Sequence, residues 1–158
     1  MANYIGNTIA FIREVFQTKD FIPLHEPRFI GNEKKYVNAA INSTFVSSVG
    51  SFVNQFEEMI ADKSQTAKGI AVVNGTAALE VALRLVGVEK GDEVMTQALT
   101  FIATANAISY NGASPVFLDV DLDTMGLSPK AVEAFLGEYG ELRETGCYNK
   151  KTGKRIAA

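Results

Sequence analysis

The sequence holds a single cysteine, Cys147, so no disulfide can form within the chain. That excludes a disulfide-stapled scaffold and fits a reducing compartment. A basic surplus is also missing: 15 Lys and Arg face 18 Asp and Glu, for a net charge of −3 and a pI near 5.2. Nucleic-acid binders need positive surface to neutralise phosphates, so nucleic acid is not an expected partner. No apolar run approaches the roughly 18 residues of a membrane span. The opening stretch, residues 1–16, is interrupted by Asn7, Arg13 and Glu14 and lacks a basic leader, so it does not read as a signal peptide. Repeats and biased linkers are absent too. What remains is 47% hydrophobic and 21% charged over 158 residues, the make-up of a globular chain. The length suits one domain or part of a larger one, and the expected location is cytoplasmic.

Periodicity divides the chain near residue 69. Ile5, Ile9, Ile12, Val15 and Phe16 predict a first amphipathic helix over 4–17. Pro23 and Pro27 then mark an extended connector. Asn32 is the expected cap of a second helix reaching about Thr44, and Ser51 that of a third helix carrying Phe52, Phe56, Met59 and Ile60. The expected organisation is a helical segment over 1–68 followed by an α/β region over 69–158. In that second region IAVV (70–73) reads as a strand buried on both faces, NGT (74–76) as a turn, and 77–87 as a helix ended by Gly87. Residues 93–96 predict a second strand, 101–110 a helix and VFLDV (116–120) a third strand. This β-α-β-α-β order implies a parallel-rich sheet with helices on its faces. Ser128 and Pro129 open another helix. The polar tail ends in RIAA, which reads as the first residues of a further strand. A sheet of about three strands would expose an apolar edge, so the expectation is that the chain is a portion of a longer one.

VVNGTAALEVAL (72–83) is the segment that carries chemistry. A helix that starts directly after a strand presents backbone N–H groups with no internal partners, and its dipole favours an anion such as a phosphate. Gly75 lets the backbone approach the ligand, Thr76 adds a hydroxyl donor, and Ala77 and Ala78 keep bulk away. The segment has neither the glycines of GxGxxG nor the Lys-Ser/Thr of a Walker A loop. On spacing alone, a glycine turn followed by an N-cap Thr is the commoner meaning of this pattern. Phe101 stands after the second expected strand, at the strand ends where ligands of parallel α/β sheets bind. An aromatic beside a phosphate site suits a planar phosphorylated cofactor. Taken alone, Phe101 reads more readily as core.

NGTAALEVAL, GDEVMTQALTFIATANAI and NGASPVFLDVDLDTM, with IPLHEPRFIGNEKKYVNAAINSTFVSSVGSFVNQFEE before them, resemble consecutive blocks of the DegT-type nucleotide-sugar aminotransferases, most nearly their LegC-like members. The likeness runs in order from about Ile22 to Leu136. It implies the N-terminal part of the large domain of the aspartate-aminotransferase fold (fold type I), an α/β fold. It also implies pyridoxal 5'-phosphate as cofactor, with its phosphate held by Gly75, Thr76 and Ala77 and its ring stacked on Phe101. The implied partners are an amino-acid donor, commonly glutamate, a nucleotide-linked keto sugar, and a second copy in a homodimer of the full-length form. Ser47 to Gly50 would lie near the site mouth or the dimer partner, or be simply a turn. Asp119 and Asp121 fall in the family's D-V-D pattern and read as strand-end structure. The family's Schiff-base lysine and the aspartate facing the ring nitrogen have no matching position here, so no catalytic residue is assigned. A metal site is not expected, and His25 and Cys147 receive no role because a metal or a triad needs partners. Two other readings stay open: a non-catalytic phosphate-ligand-binding or dimerisation module, and an unrelated α/β protein.

Overall fold

The computed structural model describes residues 3–24 and 26–158, and His25 lies outside the described residues. The chain divides into two compact units, Met1–Met59 and Ile60–Ala158.

In the first unit the expected helices form: α1 (Tyr4–Phe16), α2 (Glu33–Ser43) and α3 (Ser51–Ser64), the last running past the unit boundary. The Asn3 carboxamide caps α1 by accepting the Gly6 N–H at 2.9 Å. Two expected caps differ. Asn32 occupies the N-cap position of α2 but makes no side-chain cap bond; the Glu33 carboxylate instead accepts the Gly31 N–H. Ser51 lies inside α3, because the Gly50 carbonyl already accepts the Val53 and Asn54 N–H groups. Tyr36 and Phe52 meet edge to face at 5.7 Å. None of the three helices has a buried residue.

The second unit contains α4 (Gly75–Leu85), β1 (Glu93–Gln97), α5 (Ile102–Tyr110), β2 (Ser114–Leu118), α6 (Pro129–Tyr139), β3 (Gly140–Arg143), β4 (Gly146–Asn149) and β5 (Arg155–Ile156). The sheet order is β2-β1-β5-β4-β3. β1 pairs in parallel with β2 and β5, whereas β4 is antiparallel to β3 and β5. The sheet is therefore mixed. The parallel pairing of β1 with β2 is an expected one, and the polar tail folds into an antiparallel hairpin that periodicity did not announce. RIAA does enter a strand: the Ala157 N–H donates to Glu93 O and the Met95 N–H to Ala158 O.

Residues 70–73 form no strand, contrary to the expectation from IAVV. A strand exists only through a partner, and β1 is already flanked on both sides. β2 begins two residues earlier than expected, at Ser114, because its ladder follows β1 in register from Glu93↔Ser114 to Gln97↔Leu118. α6 is capped as expected, the Ser128 Oγ accepting the Ala131 N–H at 3.3 Å with Pro129 in the first turn.

The core gathers Val88, Val94, Ile108 and Ala113, with Leu83 and Ala157 packed against it. Two polar bridges lock the hairpin side of the sheet to β1. Asn149 Nδ2 donates to Glu93 Oε2 at 2.7 Å, both residues being buried. Arg155 grips Asp92 with two bonds, Nε to Oδ1 at 3.1 Å and Nη2 to Oδ2 at 2.6 Å, and also donates to Gly87 O. The Asp92 carboxylate accepts the Glu89 N–H as well. The Arg155 guanidinium holds the Asp92 carboxyl below its ordinary pKa, against the opposing effect of burial.

Candidate functional site

The start of α4 is built differently from the expected turn. The helix begins at Gly75, two residues early, and its N-cap is Asn74 rather than Thr76. Asn74 has extended backbone (φ −164°, ψ 172°), and its Oδ1 accepts the Ala77 N–H at 2.9 Å. This is the preferred cap chemistry for an orphan N–H in the first turn. The Ala78 N–H bonds to Asn74 O, the first intrahelical bond. The N–H groups of Gly75 and Thr76 precede that bond and point along the axis with no helical acceptor. A Cβ built on Gly75 meets nothing within 4 Å, so the space before these donors is open.

At its other end α4 closes in a Schellman turn. Gly87 takes φ +85° and its N–H donates to Arg84 O, while the Val88 N–H reaches back to Leu83 O. The C-terminal half of α4 is tied to α5 through Asn111. Its Nδ2 donates to Glu80 O (3.2 Å) and Ala107 O (2.9 Å), and its Oδ1 accepts from Arg84 Nε (3.0 Å). The C-terminal half of α4 therefore meets the C-terminal end of α5 at Asn111.

Phe101 stands at the N-cap position of α5, with extended backbone (φ −70°, ψ 141°) and no side-chain cap bond. The residue is 78% exposed. The reading of Phe101 as core is thereby excluded within this chain: the ring faces outward at the carboxyl end of β1. Gln97, the last residue of β1, donates from Nε2 to Leu99 O at 2.6 Å and to Met125 O at 3.3 Å, tying that end to the loop after β2. In the loop the Asp119 Oδ1 accepts the Val120 N–H, and the Asp121 N–H and carbonyl bond Gly126 O and the Met125 N–H. Both aspartates shape the loop.

Gly75, Thr76 and Ala77 thus open α4, and Phe101 stands at the start of α5, the helix tied to α4 through Asn111. The donor set suits an anion: two free backbone N–H groups, the dipole of an 11-residue helix, and open space beside Gly75. Together with the exposed Phe101 at the start of the neighbouring helix, it suits a planar phosphorylated group. Ser47 to Gly50 belong to the first unit and precede α3. Cys147 lies half-buried in β4, opposite Leu142 and Ile156 in the ladders. Among the described residues no cluster of His, Cys, Asp and Glu could hold a metal ion, and no helix is long and apolar enough to cross a membrane. Sequence reasoning overlooked Asn74 and Asn111. Asn74 carried a visible signal, a capping residue directly before a helix; Asn111 carried none, because its partners lie 27 and 31 residues away.

Residues 27–140 match the DegT/DnrJ/EryC1/StrS aminotransferase family. The chain belongs to that family. Its members are pyridoxal-phosphate-dependent aminotransferases. The chain is 42% identical over 113 residues to GDP-perosamine synthase of Escherichia coli O157:H7, covering 72% of this chain and 31% of that protein. Among solved structures, it resembles the aminotransferase from Psychrobacter cryohalolentis (36% identity, TM-score 0.64, 73% of this chain and 29% of that one). It also resembles DesV of S. venezuelae, solved in complex with a ketimine intermediate (34% identity, TM-score 0.56, 64% and 28%). The fold is the α/β fold of these aminotransferases. The chain spans about three tenths of the length of the relatives it matches.

Proposed function

We propose that this chain provides the phosphate-holding and ring-stacking part of an aminotransferase. That enzyme moves an amino group from an amino acid, glutamate, to a nucleotide-linked keto sugar used in surface polysaccharide or glycan biosynthesis. The observation that carries the reading is the open start of α4, with Phe101 exposed at the start of α5, the helix packed against α4. The Gly75 and Thr76 N–H groups and the Thr76 hydroxyl donate to the cofactor phosphate. Ala77, whose N–H is engaged by Asn74, contributes by being small. Phe101 stacks on the pyridine ring and holds its plane. Pyridoxal phosphate, when bound, supplies the electron sink for amino transfer. The region 69–158 is part of the cofactor-binding large domain, preceded by the helical segment 1–68. The enzyme works in the cytoplasm as a homodimer.

The lysine that bonds the cofactor must be neutral and sheltered. All ten lysines of this chain are exposed. On this reading the lysine, and with it the carboxylate facing the ring nitrogen, comes from outside these 158 residues. The reading frame beyond Ala158 tests this directly: a continuing frame with a lysine in a Ser-x-x-Lys-like context supports it, and a stop codon favours a binding or dimerisation module. The site itself is tested by equilibrium titration of the complete enzyme with pyridoxal phosphate. Gly75→Val should weaken binding most. The open space at Gly75 means the fold tolerates the new side chain, so the loss would report the ligand. Unchanged affinity in Gly75→Val and Thr76→Ala together would sink the assignment.

A further inference from the structure

Among the described residues, the side-chain hydrogen bonds that reach α4 from another element fall on its C-terminal half and converge on Asn111. Residues 70–73, which lead into α4, form no strand, so no sheet ladder fixes its start. Asn111 is also the C-cap of α5, whose opposite end carries Phe101. Its carboxamide is engaged at both ends, with two N–H bonds to the carbonyls of Glu80 and Ala107 and one acceptor bond from Arg84. Two carbonyl partners and one guanidinium partner fix which atom is oxygen and which nitrogen. Arg84 is itself held by Glu80 at 2.9 Å. Asn111 thus ties the helix that starts at the phosphate donors to the helix that starts at the ring, beside the packing of Leu83 on the core that holds Ile108.

We propose that Asn111 is a positioning residue: by stapling α4 to α5 it fixes the spacing between the phosphate cradle at Gly75–Thr76 and the stacking ring of Phe101. The inference rests on the cofactor reading above. A rigid planar ligand held at both its phosphate and its ring gains from each contact only when the two are correctly spaced. Loss of the staple lets the helices slide, and phosphate and ring can no longer be satisfied together.

The test is a double-mutant cycle on the complete enzyme, read as equilibrium affinity for pyridoxal phosphate. Asn111→Ala should weaken binding about tenfold, the scale of one or two lost hydrogen bonds. In the Phe101→Ala background the same change should cost less than about twofold, because the spacing no longer matters. Asn111 and Phe101 sit at opposite ends of α5, so a merely structural effect would be additive. Equal losses in both backgrounds would overturn the inference, as would an unchanged affinity in Asn111→Ala. If Asn111→Ala fails to fold, Arg84→Met, at a 62% exposed side chain, removes one arm of the staple and should show the same non-additivity. If Phe101→Ala and Gly75→Val each leave affinity unchanged, the cofactor site fails and the inference with it. If those two weaken binding while Asn111 acts additively, the staple alone fails.

Discussion

The two units carry similar apolar patterns and use them differently. In α1 the apolar positions recur at helical spacing, yet Ile5 is 76% and Phe16 55% exposed, and no residue of the three N-terminal helices is buried. In the second unit Ile108 is 2% and Val94 4% exposed. The difference is the presence of a second layer. The sheet offers α5 a face to pack on, and hydrophobic stabilisation scales with area actually removed from water. Periodicity marks a face that is able to be buried; a neighbouring element decides whether it is.

The sharpest way to break this contrast is a large-to-small substitution in each unit. Ile108→Ala should cost about 2–5 kcal/mol, whereas Phe16→Ala, at an exposed position, should stay within about 0.5 kcal/mol. Chemical denaturation of both variants measures the gap, and equal losses would show that the first unit has a core of its own. Next is the pair that closes the sheet. Asp92→Asn should cost roughly 1.5–3 kcal/mol, since it removes charge-assisted bonds from Arg155. The same pair predicts a pH dependence. Because the folded Asp92 carboxyl lies below its unfolded value, its contribution is present above the unfolded pKa and is lost as pH falls through the folded one. Stability measured down an acid series should therefore fall less steeply in Asp92→Asn than in the parent.

Smaller effects separate the caps. Ser128→Ala should cost about 1 kcal/mol, because its hydroxyl accepts the Ala131 N–H. Asn32→Ala should cost much less, because its side chain makes no cap bond. A Tm comparison of the two reads the difference. At the candidate site, Thr76→Ala should remove about 0.5–1.5 kcal/mol of cofactor binding. Phe101→Tyr should be tolerated and Phe101→Ala should lose a similar amount, the worth of stacking beyond area burial. Last and smallest, borohydride reduction of residues 1–158 with pyridoxal phosphate should label exposed lysines substoichiometrically and scattered. One lysine labelled to full occupancy, with glutamate-dependent turnover, would place a complete active site within this chain.

Most helices were legible because their signals are local: apolar spacing, a Ser-Pro start at 128–129, a glycine stop at 87. The helix start at Gly75 and Thr76 and the exposed aromatic before α5 carried local signals too, because a helix that starts behind a strand-like run is a local pattern. The true cap at Asn74 shifted the helix start by two residues, since an Asn carboxamide in extended backbone competes well for the first N–H. Asn111 was illegible, as its bonds join residues far apart in the chain.

The sequence by itself determined the family, through the ordered blocks between about residues 22 and 136, and the helices, through bonds that close within four residues. Only the tertiary structure decided which apolar runs became strands. IAVV has the composition of a buried strand and forms none, while the polar GELR and GCYN pair as a hairpin because each supplies the other's ladder. Strand formation depends on a partner from elsewhere in the chain, and no local pattern names that partner.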